Sequence, residues 1–349
     1  MTTVIVSTYP PLRDGIARYA DQQVAWLRRR GESVLTVGLP GSEADVVADL
    51  CGGRKPAALA GAVRSGGVEP RASRVVIHWH DGFYYRGGFA SRIPTDLAFL
   101  RAMRAFGEWE ILCHETYPLE PARDPVRSVL RLAHQAGRRA VWRRASRVWF
   151  HSQAEREKME AAYGLRLDDG KVAIRPHGMF FARYRDIGRE QARRELEIPA
   201  DAFVFLCIGF LGEHKGFHRA LEAFADLGDA RARIYVVGSV LDETAAARAY
   251  VRQLAEQARR TPGATLVEGF VADEQFDTWI AASDCVMAPY TAAFSSSIIE
   301  RAKMFDRPVV VGASGGLPEQ AGDSCAVVGS VAEMAEAMRR LAAPVGHPL

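Results

Sequence analysis

The feature that most constrains this chain is a rhythm of short β-branched runs that end in polar residues or glycine, separated by segments with helical spacing. The first run, Val4-Ile5-Val6-Ser7, reads as a buried parallel strand. It leads into Tyr9-Pro10-Pro11-Leu12-Arg13-Asp14-Gly15, a loop by its proline and glycine content. From Ile16 to Arg30, apolar residues recur at Ile16, Tyr19, Ala20, Val24 and Leu27, and the pattern stops at Gly31. Val34 to Val37 is the next strand. Strand, loop, helix, strand is the opening of a doubly wound α/β domain.

The rhythm continues. Val75-Val76-Ile77 ends in His78-Trp79-His80-Asp81-Gly82, Trp109 to Cys113 in His114-Glu115-Thr116, Val148 to Phe150 in His151-Ser152, and Val172 to Ile174 in Arg175-Pro176-His177-Gly178. Helices are expected over Leu97 to Phe106 and Val126 to Ser146. A second series starts at Phe203 to Ile208, followed by Gly209-Phe210-Leu211-Gly212-Glu213-His214-Lys215-Gly216. It runs on through strands at Arg233 to Val237, Thr265 to Val267, Cys285 to Ala288 and Val309 to Val311. Helices are expected at His218 to Leu227, Ala245 to Arg259, Glu274 to Ala282, Ser297 to Phe305 and Val331 to Leu341. In open α/β sheets ligands bind outside the carboxyl ends of the strands, so the polar strand ends are site candidates.

The expected fold is therefore α/β: two Rossmann-like doubly wound domains facing across a cleft. The length of 349 residues also favours two cores over one. The expected division is 1–176, 177–327, and a closing helix and tail at 328–349 that packs back towards the first domain. Charge divides with it: the first 176 residues carry a balance of +8 and the remainder −5. With 48% apolar and 25% charged residues, a disordered chain and a fibrous repeat are excluded. Five dispersed cysteines (Cys51, Cys113, Cys207, Cys285, Cys325) form no Cys-x-x-Cys pair, so neither a disulfide framework nor a zinc site is suggested. A reducing cytoplasm is the natural expectation, with no secretory leader and no run of about 18 apolar residues to span a bilayer.

Gly209 to Gly216 resembles the Gly-Arg-Leu-x-x-x-Lys-Gly loop of retaining nucleotide-sugar glycosyltransferases of the type B fold, the group 1 or family 4-like enzymes. Val236-Val237-Gly238, Gly269-Phe270-Val271, Ala282 to Pro289, Glu300, Arg307 to Val310 and Gly315 to Glu319 fall in that family's order and spacing. In the first half, Pro10-Pro11 followed by Gly15 to Tyr19 is similar to the family's N-terminal loop and helix, and Pro176-His177-Gly178 to its domain junction. The resemblance spans Val4 to about Glu319.

A nucleotide sugar presents an anionic diphosphate whose leaving group gains charge in the transition state, which calls for cations and backbone donors. Lys215 is read either as a solvated loop lysine or as the ammonium that meets the diphosphate. Gly15, without a Cβ, either forms a simple turn or admits phosphate close to the backbone. Ser295, Ser296 and Ser297 precede a helix, where a serine cap and free amides make an anion site. The resemblance implies that Glu300, otherwise a surface helix glutamate, accepts hydrogen bonds from the ribose, and that Phe270 and Val271, otherwise core residues, hold the base. It also implies that His114 lies by the transferred sugar as a catalytic group together with Lys215. His80 and Asp81 are acceptor-side candidates.

In this family the acceptor is thought to attack the face that the nucleotide leaves, and the departing phosphate takes its proton. Domain closure would assemble the site. No metal and no cofactor beyond the nucleotide sugar is expected, since no Asp-x-Asp or histidine cluster is placed to hold a metal. Two positions depart from the family pattern: Phe210 replaces an arginine, and Ala292 stands where a carboxylate usually touches the donor sugar.

The helix over Arg127-Ser146 carries Arg127, Arg131, Arg138, Arg139, Arg143 and Arg144 with apolar residues between. It is either a solvated face or a peripheral contact with the inner face of an anionic membrane. No nucleic-acid module accompanies the charge. The expected activity is transfer of a hexose to a hydroxyl of a glycan, a lipid-linked sugar or a natural product. The alternatives are a non-catalytic nucleotide-sugar-binding partner subunit and a nucleotide-sugar epimerase of similar shape. A pyridoxal-phosphate phosphorylase shares the fold but needs a far longer chain.

Overall fold

The computed structural model describes residues 1–122, 124–293, 295–322 and 325–343. The chain forms two compact units, Met1–Phe180 and Phe181–Leu349. In the first, the order is β1 (Thr2–Ser7), α1 (Gly15–Arg29), β2 (Val34–Gly38), β3 (Val46–Val47), α2 (Leu59–Ser65), β4 (Ser73–His80), α3 (Asp81–Tyr84) and α4 (Phe89–Met103). It continues with β5 (Glu108–Glu115), α5 (Pro125–Arg144), β6 (Arg147–Phe150), α6 (Gln153–Tyr163) and β7 (Val172–Ile174).

The second unit starts with α7 (Arg189–Glu195), β8 (Phe203–Ile208), α8 (Phe217–Ala225), β9 (Ala232–Gly238), α9 (Ala245–Arg260) and β10 (Ala264–Glu268). Then come α10 (Asp273–Ala282), β11 (Cys285–Ala288), α11 (Ser297–Met304), β12 (Val309–Gly312), α12 (Leu317–Ala321), β13 (Cys325–Val328) and α13 (Val331–Ala342).

All strand pairs among the described residues are parallel. The first sheet runs β3-β2-β1-β4-β5-β6-β7 and the second β10-β9-β8-β11-β12-β13. Each winds outward from its first strand in both directions, the doubly wound order of dinucleotide-binding domains. The strands are rich in Val and Ile because helices cover both faces, which leaves no polar side for alternation to mark. Val4, Val6, Ile77, Ile111 and Val148 are fully buried in the first core. Leu206, Val236, Val286 and Val310 do the same in the second.

Some expectations shift. The first unit extends past Pro176 because the 3₁₀ turn His177–Phe180 packs on α1, where the Phe180 ring meets Tyr19 and Trp26 edge-on. The closing helix α13 lies on α8 within the second unit, with Met334 and Met338 fully buried. The tail beyond residue 343 lies outside the described residues. α4 begins eight residues before the expected Leu97 and carries Pro94 inside it. The Arg-rich helix does not present one basic face: Arg138 is buried and bonds to the carbonyls of Tyr117 and Ala162. Cys113, Cys207 and Cys285 are buried free thiols. No helix among the described residues is long and apolar enough to cross a membrane.

Candidate active site

In both sheets the winding direction reverses beside the first strand, between β1 and β4 and between β8 and β11. Within each unit, most of the sequence-predicted residues follow the carboxyl ends of these strands, with His114 at the end of β5 and Phe270 and Val271 after β10.

In the second unit, β8 leaves through Gly209 into a loop that ends in the 3₁₀ turn Glu213–Lys215 and Gly216. Gly216 has φ +66°, and a Cβ there would overlap the Pro289 carbonyl oxygen. Gly238, at the end of β9, has φ +151°, and a Cβ on it would overlap the carbonyl oxygen of Gly209. Backbone thus lies directly on backbone, and only glycine permits it. The loop is also tied across the switch point, since the Thr291 amide donates to the His214 carbonyl at 2.9 Å.

Lys215 extends its ammonium over the Tyr290 ring, 4.0 Å from the centroid. Tyr290 is buried. Burial raises its phenol, and a hydrogen bond with Ser296 opposes that rise. Ser296 stands at the N-cap of α11, but its side chain makes no cap bond, contrary to the expected serine cap. The first-turn amides of α11 are therefore left without a side-chain cap. Gln320 of α12 braces this entry: its Oε1 accepts from the Ser296 amide at 2.8 Å, and its Nε2 donates to the Ser296 carbonyl at 2.7 Å. The same Nε2 donates to Glu300 Oε1 at 2.9 Å, and Lys303 lies 3.7 Å from that oxygen.

α11 is itself anchored. The buried Arg301 pairs with Asp273 at 3.0 Å and with Asp277, whose other oxygen accepts from the amides of Tyr184 and Arg185. Lys215, Ser296 and Glu300 are thereby linked through Tyr290 and Gln320, with Ser295 and Ser297 half-buried beside them. Ala292 is exposed and Phe210 half-buried.

Phe270 and Val271 follow β10 and line a separate hollow of about 380 Å³ with Val237, Val267, Thr278 and Trp279. Lys215, Ser296 and Glu300 do not line it.

In the first unit, Asp14 caps α1, accepting from the Ala17 amide at 2.6 Å and from Thr8 at 3.2 Å. Burial raises its carboxyl, and these hydrogen bonds oppose the rise. Gly15 is the first residue of α1, and no atom lies within 4 Å of where its Cβ would stand, so neither φ nor packing requires glycine there.

His80 ends β4. Its Nδ1 accepts from the Gly82 amide at 3.1 Å, and its Nε2 lies 3.3 Å from Glu115 Oε2, which also accepts from the Tyr117 hydroxyl. Burial works to raise Glu115, but hydrogen bonds from His80 and Tyr117 overcome it and hold the carboxyl below its usual range. Asp81, expected beside His80 on the acceptor side, is buried and engaged. Its Oδ1 accepts from Trp79 at 2.9 Å and Tyr163 at 2.5 Å, and its Oδ2 from the Tyr117 amide at 2.9 Å.

His114 ends β5 within a group of rings from several strand ends. Its Nε2 lies 3.1 Å from His78 Nδ1, and His78 Nε2 lies 2.7 Å from Gln23 Oε1 on α1. Tyr19 packs against His78, His114, His151 and His177, with centroids 5.0 to 5.7 Å away. His151 precedes the N-cap of α6: Ser152 Oγ accepts from the Glu155 amide, and Glu155 reaches back to accept from the His151 amide at 2.8 Å. Its Nδ1 donates to the Arg175 carbonyl. Burial pushes His78 down to about 3 and His151 to about 4, and holds His114 and His177 well below the ordinary value.

Gln23 and Gln320 were not singled out from the sequence, and His78, Glu115 and Tyr290 were given no individual role there. His78 carried a signal, as a polar residue inside a strand buried on both faces. Gln320 carried none. Among the described residues no group of three or more His, Cys, Asp or Glu could hold a metal ion.

Two parallel doubly wound sheets, one in each unit, give the chain the architecture of the type B fold. Within the second unit, residues 202–343 match the family Glycosyl transferases group 1. No curated protein matches the chain in sequence.

Solved structures match its fold throughout. Sucrose-phosphate synthase from Thermosynechococcus elongatus is 16% identical, with a TM-score of 0.69, over 98% of this chain and 89% of that one. A glycosyltransferase from Rickettsia africae is 13% identical, with a TM-score of 0.69, over 97% and 88%. Anabaena Alr3699/HepE in complex with UDP is 18% identical, with a TM-score of 0.63, over 96% and 88%.

Proposed function

We propose that the chain moves a hexose from a nucleotide diphosphate sugar to a hydroxyl acceptor, with retention at the transferred carbon. One observation carries the reading: a lysine, an uncapped helix start and a glutamate are linked at the switch point of a group 1 glycosyl transferase domain. Lys215 and the amides at Ser296 and Ser297 would meet the diphosphate, Glu300 the ribose, and the hollow at Phe270 and Val271 the base. His114 would face the transferred sugar.

The bond from the sugar carbon to the phosphate oxygen breaks, and a bond to the acceptor oxygen forms on the same face. The acceptor's proton passes to the phosphate. Lys215 and the α11 amides stabilise the charge that builds on the leaving diphosphate, in place of bulk water. No step calls on a metal or a further cofactor. His80, with Glu115 and Tyr117, is the proposed acceptor side. Asp81 acts there only by holding Trp79, Tyr163 and the Tyr117 amide.

For a lipid-linked acceptor, α5 offers a contact with an anionic membrane. Val126, Val129 and Leu132 are 70, 65 and 59% exposed on its first turns, with Arg127 beside them. The Anabaena neighbour's complex with UDP favours a uridine donor.

A thermal-shift screen against UDP-, GDP- and ADP-sugars tests the proposal, because a ligand that binds only the folded state raises the midpoint by mass action. Stabilisation by one nucleotide class, followed by product formation with an acceptor panel, supports it. No stabilisation by any of the three defeats it. The exposed Ala292, where a carboxylate is usual, favours a second reading as a non-catalytic nucleotide-sugar-binding subunit. Donor binding without hydrolysis or transfer would select that reading.

A further inference from the structure

The hydrogen-bond chain Gln23–His78–His114 determines which ring nitrogen of His114 carries its proton. Gln23 presents its Oε1, which only accepts, so His78 Nε2 is the donor in their 2.7 Å contact. A neutral His78 has one N–H, which leaves its Nδ1 as a lone pair. In the 3.1 Å contact with that nitrogen, His114 Nε2 must therefore donate. The proton of a neutral His114 is thus committed inward, and its Nδ1 is a lone pair.

The surroundings keep the chain in this sense. The edge-on Tyr19 ring, His151 with its proton given to the Arg175 carbonyl, and His177 pack around the pair. Burial of both rings disfavours an imidazolium that would donate at both ends.

We propose that Gln23 and His78 are positioning residues that fix His114 as its Nε2–H tautomer, so that His114 meets a hydroxyl of the transferred sugar as a hydrogen-bond acceptor through Nδ1. This rests on the reading above that His114 faces that sugar. The sugar hydroxyl then donates to His114 and keeps its own lone pairs for other donors. A His114 of the opposite tautomer would present an N–H there and reject the same hydroxyl orientation.

The experiment is a pair of measurements on the full chain. Two-bond proton–nitrogen spectra of ¹⁵N-histidine-labelled protein, with His114 assigned by its loss in His114→Ala, read the tautomer. Steady-state transfer from the donor found in the thermal-shift screen reads the consequence. Wild type should show His114 protonated at Nε2.

Gln23→Glu offers a carboxylate that can hold His78 as an imidazolium. Its Nδ1–H then donates to His114 Nε2 and shifts the His114 proton to Nδ1. Turnover in this variant should fall at least tenfold, with the donor KM within about twofold. Gln23→Met, neutral and close in size, should give a mixture of tautomers and an intermediate turnover.

A wild-type His114 protonated at Nδ1, or a Gln23→Glu spectrum unchanged from wild type, overturns the proposal. So does a shifted tautomer with turnover within twofold of wild type. A wild type that binds donor but transfers nothing defeats the functional reading instead, and its spectra still decide the tautomer.

Discussion

Acidification from pH 6.5 to 5.5 should loosen the first unit far more than the second. Four imidazoles surround Tyr19, and burial keeps all of them neutral in the folded chain. Once unfolded, each regains an ordinary value near 6.5. Between pH 6.5 and the folded values, the unfolded chain therefore binds more protons than the folded one. Stability is complete above 6.5 and is lost as pH falls towards about 4 for His151 and about 3 for His78.

One pH unit below its ordinary value, a histidine costs about 1.4 kcal/mol if the fold cannot accept its proton. His78 and His151 together give about 3 kcal/mol at pH 5.5, and His114 and His177 act in the same direction. A domain commonly has about 5–15 kcal/mol in all. His218 of the second unit is also lowered by burial, but it is only partly buried, so the slope there is shallower.

Hydrogen exchange of the whole chain, corrected for intrinsic pH effects, resolves the two units. Amides of β4 and β5 should lose protection between pH 6.5 and 5.5, while those of β8 and β9 hold theirs. Equal protection of β4 and β5 at both pH values would refute the reasoning, because it would mean that these rings take up protons without cost. His151→Gln should remove about a quarter of the slope.

Other expected outcomes concern the second unit and α5. Lys215→Met keeps an aliphatic stem over Tyr290 and removes the charge. At about 4 Å and an effective dielectric near 20, a unit charge pair is worth about 4 kcal/mol, so kcat/KM for the donor should fall about 10³-fold, measured by release of the nucleoside diphosphate. Gly216→Ala meets both a left-handed backbone, at about 1–2 kcal/mol, and the Pro289 carbonyl, so its thermal midpoint should drop by several degrees. Changing Val126, Val129 and Leu132 together to serine should weaken co-sedimentation with phosphatidylglycerol vesicles and leave the thermal midpoint within about 2 °C, because these side chains are exposed.

Much of the architecture was legible because buried parallel strands and helices carry different periods. The runs at Val4, Phe203 and Cys285 became β1, β8 and β11 with few changes. The two-residue β3 and the short α7 and α12 were not foreseen, because a segment of that length has no period to read. α4 was cut short because Pro94 reads as a boundary, whereas here it sits inside the helix.

The Lys215 loop and the serines stood out by local pattern, and Glu300 through the family resemblance. What ties them together did not. Gln320 reaches Ser296 across 24 residues, and Gln23 reaches His78 across 55, through contacts that exist only once the sheet is wound. The arginines of α5 were read as one face, but Arg138 turned inward because the carbonyls of Tyr117 and Ala162 await it. Asp81 looked like a pocket residue because a strand end is polar either for a ligand or for its neighbours, and sequence does not separate the two.

The glycine contacts at Gly216 and Gly238 carry one further consequence. The floor beneath the proposed diphosphate seat is made of main chain pressed on main chain, so its shape depends on side chains that are missing rather than on any that are present. Neighbouring positions can drift widely in chemistry without tilting that floor. A chain can therefore share about one residue in six with a solved sucrose-phosphate synthase and still follow the same path, whereas a single added methyl at either glycine would push two loops apart.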